Sequence, residues 1–353
     1  MNLTEIRREL HRFPETGFQE FKTQEYLIRK LKNYRCVLFK IKTGVIAYFN
    51  NRRPTSLAYR SDMDGLNIQE TGNSPYKSEN QCMHACGHDA HMALALGICE
   101  YLNDHYTEYE SNFVILFQPS EETFGGSRLI LDSGILKRLK VRTIIGLHLF
   151  PKLEKGAFFS GKVIFASARE IDFTISGKSV HVANRDKESD CLKAGMELVK
   201  KITSFSDKNT LVHIGTFSSG KTRNTVSPIS EIRGTIRSKT KDEKILRKIK
   251  DEVLALKEKY RLKISDDTSR YLPPVKNDSL TLERAKKLVS LRLLDTPFFQ
   301  GEDFSLYTEE YPCLFLLLGI GDVPYLHSPD FDFDDGILEH ALKQLIPLLK
   351  IDQ

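Results

Sequence analysis

The sequence predicts an α/β protein: a mixed, mostly parallel sheet with helices on both faces, interrupted by an inserted ferredoxin-like α+β domain. Three observations predict it. Four short apolar runs, "TSLAYRSDMD", "FVILFQPSEE", "TIIGLH" and "CLFLLLGIG", read as buried strands, and each leads into polar residues. They alternate with helix-like stretches such as "HMALALGICEYLNDHY", the pattern of parallel strands joined by crossover helices. In the middle of the chain the pattern changes to a β-α-β-β-α-β order. A length of 353 residues also exceeds what one core usually serves, so two domains are expected.

Taken in order, the N-terminal "MNLTEIRRELHRF" is charged within its first turns and has no apolar stretch, so no secretory signal is expected. No 18-residue apolar run follows anywhere, so no membrane partner is expected. The middle opens on "REIDFTISG", where Ile171, Phe173 and Ile175 alternate with polar residues. A helix over 189–205, the strands "TLVHIGTFSS" and "SEIRGTIRS", an amphipathic helix over 241–260 and "RLKISDDTSR" complete the insert. The expected limits are 168–275 for the insert, with the paired prolines of "YLPPVKND" at its exit, and 1–167 with 276–353 for the surrounding domain.

Composition narrows the partners. Lys and Arg number 52 against 47 Asp and Glu, a net charge of +5, and they are interspersed in runs such as "KTKDEKILRKIKDE". That is a solvated helix face rather than a basic stripe, so nucleic acid is not expected. The six cysteines (Cys36, Cys82, Cys86, Cys99, Cys191, Cys313) form no CxxC pair. In a chain of this size they are expected to be mostly small core residues in a reducing cytoplasm.

The chemistry-bearing residues fall at the strand ends. In "MHACGHDAHM", Cys86 and His88 flank Gly87, which permits an unusual backbone angle. Soft N and S donors so spaced suit a zinc-like cation, although one loop cannot surround an ion. His84 and His91 are not expected to be ligands. Glu121 and Glu122 are adjacent acids after an apolar strand, which repel unless a cation lies near. Taken alone, acids placed to suit a helix N-terminus are the commoner explanation. Asp62 and Asp64 have the same two readings, and a continuing strand would point only one of them at a cluster. His148 and His327 each follow an apolar strand and precede a proline. In a parallel sheet these positions gather beyond the carboxyl ends of the strands.

The segments "HRFPETGFQEFKTQEYL", "YRSDMDGLNIQETG", "MHACGHDAHMALALG", "FQPSEE", "GLHLFP", "GEDFSLY" and "YLHSP" occur in the order of the M20 metallopeptidase/amidohydrolase family. The chain resembles its aminoacylase-like branch, and within it most of all the N-acetyldiaminopimelate deacetylases. The resemblance implies a catalytic domain holding two divalent ions (Zn, Co, Mn or Ni) and a lid that forms homodimers. It implies that Cys86, His88, Glu122, His148 and His327 are metal ligands and that Glu121 is the general base, two glutamate roles that are interchangeable on sequence grounds. Asp62 and Asp64 match the acidic active-site segment, with Asp62 supporting catalysis. His181, Asn224, Arg237 and Asp64 would meet the substrate, a small N-acyl amino acid. The implied reaction removes an acetyl group from an N-acetyl amino acid, N-acetyl-LL-diaminopimelate first; a general N-acyl amino acid amidohydrolase, a small peptidase and a non-catalytic zinc protein are the alternatives. Departures from the branch lie beside donors: Asn67 for proline, Thr123 for glycine, no proline in "VANRD", and Pro228 one place late.

Overall fold

The computed structural model describes residues 2–184, 189–240 and 242–353. Arg185 and Asp186 of "VANRD", and Lys241, the expected start of the second lid helix, lie outside the described residues. The chain divides into two compact units: Met1–Ile164 with Lys276–Thr296 and Glu302–Gln353, and Phe165–Val275 with Pro297–Gly301. The return of Pro297–Gly301 to the second unit is absent from the sequence expectation. It follows from a short parallel bridge, Phe165 to Phe298, with Ala166 N donating to Phe298 O at 2.8 Å.

The first unit holds an eight-stranded sheet in the order Val37–Ile41, Gly44–Phe49, Asn112–Gln118, Ser56–Asp62, Val141–Phe150, Cys313–Gly319, Phe158–Ser160, Leu291–Leu293. Its four central strands, the four predicted apolar runs, are mutually parallel. Parallel strands are covered on both faces, which explains why they read as continuous apolar runs. Every residue of Ser56–Asp62, Asn112–Gln118 and Cys313–Gly319 is buried.

The helix His88–His105 lies inside this core rather than on it. Met92, Ala93, Leu94, Ala95 and Leu96 are all fully buried, so the helix has no solvent stripe of the usual kind. It starts from Gly87 at φ +81°, and a Cβ there would fall 2.7 Å from Leu149 Cδ1. Backbone and space together therefore require glycine at this position.

The N-terminal helix Leu3–His11 is capped by Asn2, whose Oδ1 accepts from Glu5 N at 3.2 Å, and buries Leu3, Ile6 and Leu10. The same face buries Arg7 completely. Its guanidinium bonds Asp89 at 3.0 Å, Asp335 at 2.6 Å and Asp332 at 2.7 Å. One arginine thus ties the N-terminal helix to the residue after His88 and to the segment that follows His327. Beside it, His11 Nδ1 lies 2.7 Å from Asp89 Oδ2 and Nε2 lies 3.4 Å from Glu70 Oε2, with Tyr76 and His84 against the ring.

Burial opposes a charge on His11, but Asp89, with help from Glu70, outweighs it and raises the pKa to about 9, Arg7 pushing the other way. A raised imidazole pKa stabilises the fold in full below the ordinary value of about 6.5, progressively less as pH climbs, and not at all above about 9. Urea unfolding of His11→Asn and of the parent, compared at pH 6 and pH 9.5, is expected to show the parent's advantage shrinking by about 3 kcal/mol. An advantage independent of pH would mean that the folded state holds His11 neutral.

The second unit is the ferredoxin-like element. Its strands lie in the order Lys263–Asp267, Ser167–Ser176, Ile229–Ser238, Thr210–Ser219, with the short Tyr271–Leu272 also pairing Ser167–Ser176, all antiparallel. Ile171, Phe173, Ile175, Val212, Ile232 and Ile236 pack against Ala194, Leu198 and Ile202 of the helix Cys191–Thr203 and Ile249, Val253 and Leu256 of Glu243–Tyr260. The strand alternation at Ile171, Phe173 and Ile175 is the inward face of this sheet.

Candidate active site

The four parallel strands end on the same edge of the first unit's sheet. Asp62 is the last residue of one; Glu121 and Glu122 follow another by three and four residues; His148 lies near the end of the third. The strand Cys313–Gly319 leads to His327, which adopts a left-handed φ of 66° and whose N–H donates to Ala85 O at 2.9 Å. That bond fastens the His327 loop to the Cys86 turn, and the five expected ligands converge there.

Cys86 Sγ is 3.4 Å from both His148 Nε2 and His327 Nε2. Glu122 Oε1 is 3.3 Å from His327 Nε2 and 4.0 Å from His88 Nε2. Cys86, His88 and Glu122 form one group with the spacing of cation ligands, and Asp62, His88, His91 and His148 form another that shares His88. Ligands held about 2.0–2.3 Å from a tetrahedral zinc lie about 3.3–3.8 Å from one another, which the 3.3 and 3.4 Å separations match and the 4.0 Å separation slightly exceeds.

The free valences fit as well. His88 Nδ1 lies 2.8 Å from Asp64 O, and His148 Nδ1 2.6 Å from Leu149 O, so each ring presents Nε2; a backbone carbonyl behind a ligating imidazole is the usual arrangement. His88 Nε2 and Glu122 Oε1 are buried without a hydrogen-bond partner among the described residues, which is costly unless something else occupies them. Burial lowers the His88 pKa, yet Asp62 and Asp64 overcome it and raise it to about 10. These surroundings favour a positive charge on that ring nitrogen, and a bound cation meets the same demand. Burial, then Glu122 and Glu121, hold the Cys86 thiol well above its ordinary range, and cation coordination is what draws out the thiolate.

The model of peptidase family M20/M25/M40 matches residues 58–350. The chain belongs to this family. It is 33% identical over 359 residues, 96% of each chain, to a protein named N-acetyldiaminopimelate deacetylase from Bacillus subtilis (strain 168). An uncharacterised hydrolase from Staphylococcus aureus (strain bovine RF122 / ET3-1) is 33% identical over 95% of this chain and 94% of its own. Among solved structures, the Bacillus subtilis YXEP protein, described as a dinuclear metal-binding peptidase of family M20, matches with a TM-score of 0.86 at 28% identity, covering 99% of this chain and 97% of that one. The chain is accordingly an M20 hydrolase, and its catalytic-plus-lid architecture is the one expected.

In this M20 chain the strand ends at Asp62, and the turn through Met63 lets both acids approach His88: Asp62 Oδ2 lies 3.6 Å from Nε2 and Asp64 Oδ1 3.4 Å from Nδ1. The expectation that only one would face the cluster required the strand to continue. Asp64 Oδ1 and Oδ2 accept the N–H groups of Glu121 and Glu122 at 3.1 and 3.0 Å. Its carboxylate thus supports the turn that carries both glutamates. Asp62 Oδ1 accepts from His91 Nδ1 at 2.6 Å, while His91 Nε2 accepts Leu149 N–H at 2.9 Å. Both His91 nitrogens are therefore engaged, Nδ1 by Asp62 and Nε2 by the Leu149 N–H, although the ring belongs to the Asp62, His88, His91 and His148 group. His84 is buried with neither ring nitrogen partnered among the described residues.

Sequence reading missed the charge that organises these acids. Arg60, fully buried, bonds Asp62 at 2.6 Å, Glu302 at 2.9 Å and Asp303 at 2.8 Å. Asp303 in turn accepts from Gln118 Nε2 and Ser127 N, each at 2.9 Å. An arginine inside the apolar run "SLAYRSD" was the available signal, because an arginine is almost never fully buried unpaired. Glu121 lies with Glu302 and Asp303; burial, then the charges of Glu302 and Glu122, hold its carboxyl well above the usual carboxylate range.

In the second unit, His181 and Asn224 sit on segments that pair: His181 bridges Thr225, and Val182 N donates to Asn224 O at 3.0 Å. Both side chains are exposed. Arg237, on the strand Ile229–Ser238, packs against Gly301, where a Cβ would fall 2.2 Å from its Nη1. That nitrogen is buried without a partner among the described residues.

Proposed function

We propose that this M20 hydrolase is a metal-dependent amidohydrolase that removes the acetyl group from an N-acetyl amino acid, with N-acetyl-LL-diaminopimelate, from which lysine biosynthesis proceeds, as the first candidate. The observation that carries the reading is the gathering of Cys86, His88, Glu122, His148 and His327 round unpartnered donor atoms, with a second acid, Glu121, beside them and outside the Cys86, His88 and Glu122 group. A structural metal site is closed and needs no such neighbour, which argues against a non-catalytic zinc protein. The substrate is supported by the names of the nearly full-length relatives.

Two divalent cations held by the five ligands would polarise the acyl carbonyl and acidify a water. Glu121 takes the proton of the attacking water and returns it to the departing amine, so that acetate and the free amino acid leave. A carboxyl held high by its neighbours suits this two-way transfer. Asp62 fixes the His91 and His88 rings. His181 and Asn224 serve the substrate carbonyl or carboxylate, and Arg237 a carboxylate, by the motif likeness; a guanidinium with an unfilled N–H suits an anion. The strand Thr210–Ser219 pairs on one side only among the described residues and exposes Leu211 and Phe217, which supports a homodimer through the lid. The reading includes a cytoplasmic setting. Among the described residues no helix is long and apolar enough to cross a membrane.

The test is a panel of N-acetyl-LL-diaminopimelate, hippurate and dipeptides, assayed with Zn, Co, Mn and Ni. The expected outcome is preferential release of acetate from N-acetyl-LL-diaminopimelate. Preference for hippurate would point to a general acylase and preference for dipeptides to a peptidase; retention of about one metal ion per chain with no hydrolysis of any of them would sink the amidohydrolase reading.

A further inference from the structure

The two glutamates project from a turn whose backbone is unusual. Ser120 and Phe124 occupy the left-handed region, at φ 55° and 57°, without being glycine. Three consecutive amides of this turn point at buried carboxylates. Ser120 N donates to Glu20 Oε1 at 2.8 Å, and the N–H groups of Glu121 and Glu122 donate to the two oxygens of Asp64. A left-handed residue beside right-handed ones turns successive N–H groups toward a common anion, and here the chain supplies the anions itself.

Glu20 stands immediately before the helix Phe21–Leu31, where an acid ordinarily caps the first turn, but its side chain makes no capping bond. Glu15 does that instead, accepting from Lys22 N at 3.2 Å, Thr23 N at 2.9 Å and Thr23 Oγ1 at 3.0 Å. Glu20 is fully buried, and its second oxygen accepts from Thr43 Oγ1 at 2.5 Å. The segment presses directly on the turn: a Cβ on Gly17 would fall 2.7 Å from Ser120 Oγ, and one on Gly125 would fall 2.9 Å from the Phe18 ring. A carboxylate withdrawn from its own helix and held by Thr43 against the Ser120 amide has no evident purpose other than this turn.

We infer that Glu20 is a positioning residue for the Glu121–Glu122 pair, fixing through the Ser120 N–H the left-handed turn that aims one glutamate at the ligand cluster and the other at the reacting water. The catalytic consequence rests on the amidohydrolase reading; the contact itself does not. Glu20→Ala is expected to lower kcat about a hundredfold, the scale of a misplacement near 1 Å, with KM changed by less than about twofold. Glu20→Gln keeps an oxygen for the Ser120 amide and is expected to recover most of that loss, whereas Thr43→Val produces a smaller one.

Amide hydrogen exchange over residues 119–126, measured in metal-free protein, supplies a second readout. It is expected to be faster in Glu20→Ala than in the parent and restored in Glu20→Gln. If Glu20→Ala does not fold, Glu20→Asp, whose carboxylate is one methylene shorter, serves in the same comparison. A lowered melting temperature with unchanged kcat and unchanged exchange would make Glu20 a packing residue and overturn the inference. If the parent hydrolyses no N-acyl amino acid, the amidohydrolase reading fails separately, and the exchange comparison alone decides the brace.

Discussion

Replacing Glu121 with Gln is expected to cut hydrolysis of an N-acetyl amino acid by about 10²–10⁴-fold, the usual contribution of a general base, while leaving metal content unchanged. The substitution preserves shape and hydrogen bonding: the amide oxygen still faces the Asp303 N–H, 3.4 Å from Glu121 Oε1, and the backbone N–H still reaches Asp64. What disappears is the ability to receive a proton. Stability should hold or rise, because a neutral side chain relieves the repulsion from Glu302, Glu122 and Asp303. Cys86→Ser should invert the pattern. Its sulfur lies 3.4 Å from two imidazole nitrogens, so loss of the soft donor reduces metal content measured after gel filtration before it changes the proton chemistry. Parent-like turnover in Glu121→Gln would end its assignment as base, and loss of metal from that variant would make Glu121 a ligand.

The fold was legible because its strands obey simple periodicities. The runs ending at Asp62, Gln118, Phe150 and Gly319 are buried on both faces over most of their length, so they are mainly apolar without alternation, and the lid strands alternate because only one face meets the helices. The ligand candidates were legible for a related reason. A parallel sheet places the residues after its strands on one edge, and the polar residues following apolar runs were therefore the ones to examine. The resemblance then separated Cys86, His88, Glu122, His148 and His327 from their neighbours; residue type alone did not. His91 differs from His88 only in what its two nitrogens touch, and those contacts, Asp62 and Leu149 N, are remote in sequence.

The supporting acids were less legible because they either had a local explanation already or had none to offer. Glu20 precedes a helix and resembles an ordinary cap, yet Glu15 makes the capping bonds. Asp64 follows a strand and resembles a site residue, yet it receives two backbone amides. Glu302 and Asp303 carry no spacing that points to Arg60, some 240 residues earlier. A buried carboxylate is defined by its partner, and partners distant along the chain leave no periodic trace.

That dependence makes Arg60→Met the substitution with the largest expected effect on stability. Methionine fills most of the volume, so the change is mainly one of charge. It leaves Asp62, Glu302 and Asp303 buried without the cation that lies 2.6–2.9 Å from each. Removing one partner from a buried ionic cluster costs about 3–5 kcal/mol. The deficit should depend on pH in a definite direction. Burial already raises the Glu302 pKa to about 7 although Arg60 pulls it down, so without Arg60 it stands higher still. A raised carboxyl pKa withdraws stability as pH rises past its ordinary value near 4.5. The variant should therefore trail the parent less at pH 5.5, where these acids can take up protons, than at pH 8. Adding Asp303→Asn should restore part of the loss, since it deletes one of the stranded charges, and the recovery should be greater than Asp303→Asn produces in the parent. Urea unfolding of the four proteins at both pH values tests the cycle. An equal deficit at pH 5.5 and pH 8 with no coupling to Asp303 would mean that Arg60 matters only as volume, and that the acids behind Glu121 are held protonated at both pH values.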